Sequence, residues 1–133
     1  MQLTRAGEYA IRCVLYLSQR EKGTVSLLED ICKAQDSPRY LSAKVLQTLV
    51  RGGIVKSTRG AGGGYCLAQP SSNISMLQVI ECVEGPLFLN FCLRQRGECE
   101  HDRGCQLYPI WGEAQTKLKE VLSYYTFDKL AGR

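Results

Sequence analysis

The residues of this sequence best equipped for chemistry are three cysteines, Cys92, Cys99 and Cys105, spaced Cys-x6-Cys-x5-Cys in a stretch without other regularity. Thiolates are soft ligands that suit zinc or an iron–sulfur cluster. The spacing is not that of the paired C-x2-C units of a zinc ribbon. A cluster usually takes four ligands, so a fourth must come from elsewhere. His101, inside the same stretch, would complete a Cys3His zinc site. Glu8, near the N-terminus, could instead reach across a dimer, or it could pair with Arg12 four residues on and with Arg5.

The chain has 133 residues and seven cysteines. It begins without a signal-peptide layout and has no stretch approaching the roughly 18 apolar residues of a membrane span, so a cytoplasmic location and no membrane partner are expected. An odd number of thiols in a reducing compartment argues against a disulfide scaffold. Cys13, Cys32, Cys66 and Cys82 fall in expected helices and a strand, and are read as packing residues. Enzyme chemistry is not expected. There is one histidine, no nucleophile–base constellation and no phosphate-binding Gly-x-x-x-x-Gly-Lys run. No small-molecule substrate is suggested. Charge is uneven: residues 1–70 carry 10 Lys/Arg against 5 Asp/Glu, and residues 71–133 carry 7 against 8. A basic first half is what a phosphate backbone attracts.

The elements that must position these groups can be read from periodicity. Residues 4–20 suit a helix capped by Thr4, with Ala6, Ala10, Cys13, Val14 and Leu17 at helical spacing. Ser26 and Glu29 form a capping-box pattern before a short helix through Leu28, Ile31 and Cys32. Gln35-Asp36 breaks it, and Ser37-Pro38 restarts a helix whose inner face is Leu41, Val45, Leu46 and Leu49. Arg39, Ala43 and Gln47 fall on other faces. Residues 54–58 and 65–68 suit strands around a tip, Arg59-Gly60-Ala61-Gly62-Gly63-Gly64, rich in the glycine that tight hairpins need. Ser75 and Gln78 cap a helix closed by Gly85-Pro86. Residues 86–107 lack periodicity. From Pro109 a long helix presents Trp111, Ala114, Leu118, Val121, Leu122 and Tyr125 on one side. No core large enough to cover that stripe is evident, so a twin helix from a second subunit is its expected partner.

A short helix, a longer helix and a basic-tipped hairpin make a winged helix-turn-helix. The expected class is mainly α with a small β-hairpin. The winged part spans 1–70, a connecting helix 71–85, a cysteine loop 86–108, and a dimerisation helix with its tail 109–133. In such a fold the first turns of the second helix enter the major groove of double-stranded DNA. Here they carry Ser37, Arg39, Tyr40, Ser42 and Lys44. Arg59 suits the minor groove, and Gly60, Gly62 and Gly63 let the backbone approach phosphates.

Taken together these segments resemble the Rrf-two family of bacterial winged-helix transcription regulators. The similar stretches are Leu3-Thr4-x-x-Gly7-x-Tyr9-Ala10, Leu41-x-x-Lys44-Val45-Leu46-Gln47-x-Leu49, Gly53-Ile54-Val55, the wing Arg59-Gly60-x-Gly62-Gly63-Gly64-Tyr65-x-Leu67, and Thr126-Phe127-Asp128-Lys129-Leu130. The resemblance implies a homodimeric repressor of a DNA operator. It also implies that Cys92, Cys99 and Cys105 hold a [2Fe-2S] or [4Fe-4S] cluster that senses redox state, nitric oxide or iron supply, with [2Fe-2S] favoured. Two departures stand out. The first cysteine gap is six residues where five is commoner, and Tyr108 occupies the position of a histidine ligand. Some relatives use an acidic residue on the first helix of the other subunit, which favours Glu8 over His101 as the fourth ligand.

Overall fold

The computed structural model describes residues 2–94 and 103–132. Helix α1 (Arg5–Ser18) starts where expected: the Thr4 hydroxyl accepts from the Gly7 amide at 3.1 Å. A second anion reinforces this end from far along the chain. Glu84 Oε1 accepts from Thr4 N at 2.7 Å and from Thr4 Oγ1 at 2.6 Å. A carboxylate at a helix N-terminus answers unsatisfied amides and the positive end of the dipole. Gly7 leaves room for this approach, since a Cβ there would overlap the Glu84 carboxyl group and make it move aside.

Helix α2 (Leu28–Gln35) is followed by Asp36 in the left-handed region and then by α3 (Arg39–Arg51). Two expected caps are corrected here. Ser26 does not cap α2, because its backbone exchanges hydrogen bonds of 2.8 Å in both directions with Tyr65 and so forms a one-residue third strand on the hairpin. Ser37 does not cap α3. Pro38 holds the cap position, and the Ser37 hydroxyl bonds instead to that of Ser42 at 2.6 Å.

Strands β1 (Val55–Thr58) and β2 (Gly64–Leu67) pair antiparallel, with Val55 opposite Leu67 and Thr58 opposite Gly64. After a 3₁₀ turn at Ser71–Asn73, α4 (Met76–Glu84) opens with the expected capping box: Ser75 accepts from Gln78 N, and Gln78 Oε1 accepts from Ser75 N. Among the described residues of the stretch expected to be irregular there is one short helix, α5 (Phe91–Arg94). Helix α6 (Tyr108–Tyr124) has Pro109 in its first turn, where a missing amide costs nothing.

The chain then folds back. Thr126 bridges Ser75, Phe127 N donates to Ile74 O at 3.0 Å, and α7 (Phe127–Ala131) packs on α1. Phe127 is fully buried among the residues of the winged-helix core, which include Val14, Leu46, Leu49 and Val79. Among the described residues, no helix is long and apolar enough to cross a membrane.

Candidate nucleic-acid interface and cysteine-bearing loop

Helix α3 has two distinct sides. Val45, Leu46 and Leu49 are buried, and opposite them Arg39, Tyr40, Ala43, Lys44 and Gln47 line a shallow surface. These positions fall one and two turns apart, so they share a face. Tyr40 is 77% exposed, a large aromatic ring left in solvent beside two cations. Ser42, expected on this face, is fully buried with its hydroxyl satisfied by Ser37, so it belongs to the core side. Gln47, expected with Arg39 and Ala43 off the inner face, does lie on the exposed face, although it was not among the residues expected to contact DNA.

The same side of α3 borders a concavity closed by the start of α2 and by the wing. Glu29 reaches across it to Arg39 at 3.3 Å, with both side chains largely exposed. The Nε2 of Gln47 donates to the Tyr65 hydroxyl at 3.3 Å, tying α3 to β2. Arg59 stands exposed at the wing tip. Gly60 and Gly62 have φ of 91° and 76°, values that L side chains rarely adopt. Gly63 and Gly64 are needed for a different reason, close approach: a Cβ would strike the Thr58 carbonyl at the first and the Ser26 carbonyl at the second. The surface therefore presents Arg39, Lys44 and Arg59 around a groove with polar side chains at its floor, an arrangement that can meet both phosphates and base edges.

Among the described cysteines Cys13 is buried, and Cys32, Cys66, Cys82, Cys92 and Cys105 are half-buried and free. Cys13 is wholly buried in the winged-helix core, and burial, with Cys32 nearby, pushes its thiol up to about 12. Cys82 is half-buried, reaches the Thr48 carbonyl at 3.7 Å, and is also pushed up by burial. Cys92 lies on α5 and Cys105 just before α6; both are unpaired and half-buried, and α5 packs against α6. Cys99 and His101 lie outside the described residues. Among the described residues no three His, Cys, Asp or Glu side chains gather into a metal site. Glu8 is on the exposed side of α1, in an ion pair with Arg12 at 2.8 Å, the ordinary local arrangement its spacing allows.

Helix α6 has no buried residue. Trp111, Ala114 and Val121 are exposed, whereas Leu118, Leu122 and Tyr125 are half-buried. Leu107, Ile110 and Tyr124 extend the exposed apolar surface beyond the expected set.

The comparison with known proteins decides the family. The profile of the Rrf2 family, described as an iron-dependent transcriptional regulator, matches residues 3–133. The chain belongs to the Rrf2 family. It is 37% identical over 135 residues to a Mycobacterium tuberculosis protein classed among HTH-type transcriptional regulators, covering 99% of this chain and 82% of that one. It is 28% identical over 130 residues to the HTH-type transcriptional regulator IscR of Escherichia coli, covering 98% and 80%. In three dimensions it is similar to CymR, the global cysteine regulator of B. subtilis, with a TM-score of 0.85 at 23% identity over 99% of this chain and 97% of that one. This Rrf2 protein is accordingly a DNA-binding transcription regulator with a winged helix, and its family does not consist of enzymes.

Proposed function

We propose that this Rrf2 protein is a homodimeric repressor whose grip on its operator is set by an iron–sulfur cluster. In this reading Cys92, Cys99 and Cys105 hold the cluster with Glu8 of the partner subunit, and a [2Fe-2S] centre is favoured. The observation that carries it is the placement of Cys92 on α5 and Cys105 just before α6, two elements in contact with each other. Cys92 and Cys105 are half-buried and unpaired on segments packed around the start of α6, whereas the most deeply buried thiol, Cys13, is locked in the winged-helix core. The donor set fits, since thiolates are the ligands that iron–sulfur clusters take.

When bound, the cluster supplies a centre that responds to oxidants, nitric oxide and iron supply. The protein's own residues carry that response. Cys92 on α5 and Cys105 before α6 would hold the cluster and so link these two elements. Because α6 also contacts α4, and Glu84 at the end of α4 holds the N-terminus of α1, a change at the loop has a packed route to the DNA-reading half. The exposed apolar side of α6 supports pairing with a second copy, which sets the spacing of the two reading helices.

The test is anaerobic purification with measurement of iron, acid-labile sulfide, zinc and visible absorption, followed by operator binding of loaded and cluster-free protein at matched salt. Stoichiometric iron and sulfide, lost in Cys92→Ala and Cys105→Ala, with a tenfold or greater difference in operator affinity, is the expected result. Zinc without sulfide would replace it with a structural Cys3His site using His101. Equal affinity of the two forms would remove the switch.

A further inference from the structure

We infer that Gln47 reads an adenine in the major groove, and that Tyr65, reaching over from the wing, fixes the edge with which Gln47 reads it. The inference rests on the DNA-binding assignment and adds a specificity-determining residue together with a positioning residue.

Gln47 is exposed two turns into α3 and borders both the open face of that helix and the concavity between α3 and the wing. One of its amide hydrogens goes to the Tyr65 hydroxyl at 3.3 Å. Tyr65 is itself 9% exposed, and its backbone is bonded in both directions to Ser26 at 2.8 Å, so its phenol is a fixed post. The bond leaves Gln47 with its Oε1 and a second N–H side by side. An adjacent acceptor and donor on a carboxamide complement the N6–H and N7 of adenine, a bidentate pairing open to Gln in the major groove. An unrestrained glutamine would lose rotamer freedom on making that pair, and a side chain already held loses less.

Its neighbours have a different task. Lys44 carries a charge on a flexible stem, and Arg39 is engaged by Glu29 at 3.3 Å. Cations of this kind set affinity and its salt dependence, whereas the neutral Gln47 contributes to sequence preference without releasing counterions.

The experiment is selection from a random double-stranded DNA library by the full-length protein, with Gln47→Ala and Tyr65→Phe run in parallel, followed by affinities for single-base variants of the selected site at several salt concentrations. The expected result is one adenine per half-site that the wild type prefers about tenfold or more over other bases. Gln47→Ala loses that preference and keeps the rest of the motif and the salt slope. Tyr65→Phe blurs the same position while its melting temperature stays near that of the wild type. An unchanged motif in Gln47→Ala, or a loss spread evenly over all positions, overturns the proposal. If the motif changes in Gln47→Ala but not in Tyr65→Phe, the positioning role of Tyr65 falls. A wild type that selects no motif at all would instead count against DNA recognition by this chain as a whole.

Discussion

Cys13 shows how burial alone decides what a cysteine does. Its thiol sits in a fully apolar setting between α1 and α2, and its pKa is pushed up to about 12 from an ordinary value of 9.0. The native state therefore keeps a proton that the unfolded chain gives up. That contribution to stability is complete below pH 9 and is lost as pH rises towards 12. Between pH 9 and pH 10 the wild type should lose about 1 kcal/mol more than Cys13→Ala. Urea midpoints of the two proteins across that interval check this, and parallel pH profiles would contradict it. Helical periodicity placed Cys13 in the core, where it is fully buried, whereas Cys32, Cys66 and Cys82, also read as packing residues, are half-buried. Helical spacing misplaced Ser42 and left Gln47, correctly put off the inner face, out of the expected DNA contacts. Both lie on one helix within five residues, and which of them faces solvent depends on how α3 is rotated against α1 and α4, information held by distant parts of the chain.

At the scale of elements, short-range signals were legible and long-range ones were not. Thr4 and the Ser75–Gln78 box cap the helices they precede because every atom involved lies within four residues. Ser26–Glu29 has the same local pattern, but Ser26 is claimed by Tyr65 from the wing, and a strand pair satisfies its backbone on both sides. Glu84 reaching Thr4 joins residues 80 apart, and no window along the sequence contains both. Helix α7 is only five residues long, too short for periodicity to reveal, yet it contributes the largest fully buried side chain of the core. Phe127→Ala should cost about 3–5 kcal/mol, the range for removing an aromatic ring from a packed interior. Denaturant unfolding measures it directly. A loss under 1 kcal/mol would mean that α7 is an ornament on the winged helix rather than part of it.

For the whole molecule, the decisive contrast is between two surfaces. The first half of the sequence carries the basic excess and folds into a surface of cations around a groove, while α6 shows solvent an apolar side that no part of this chain covers among the described residues. A second copy laid along α6 would cover it and present two reading surfaces at once. Val121 is 54% exposed on that side. Val121→Asp places a charge at the centre of the proposed contact without disturbing the monomer's interior. The variant should sediment as a monomer and bind a two-half-site operator about 100-fold more weakly, because the second half-site is no longer engaged at high effective concentration. A Val121→Asp protein that remains dimeric would move the interface elsewhere. The general class of the molecule was legible because helix, helix and glycine-rich hairpin follow one another in the sequence. The proposed sensing site was legible only as a set of thiols, since the fourth ligand proposed for it, Glu8, lies far from them in the sequence.

The return of Phe127 to the core has a consequence for how the protein is made. Val14, Leu46 and Val79 leave the ribosome well before the side chain that fills the space between them. At typical bacterial rates of about 5–20 residues per second, several seconds separate the emergence of α1 from that of α7. During that interval the winged-helix core lacks the Phe127 side chain, and the Ile74 carbonyl lacks the Phe127 amide that it accepts from in the complete chain. The regulator thus completes its interior only when synthesis has passed residue 127, so a translation product truncated before that point is expected to be cut by proteases faster than the full chain.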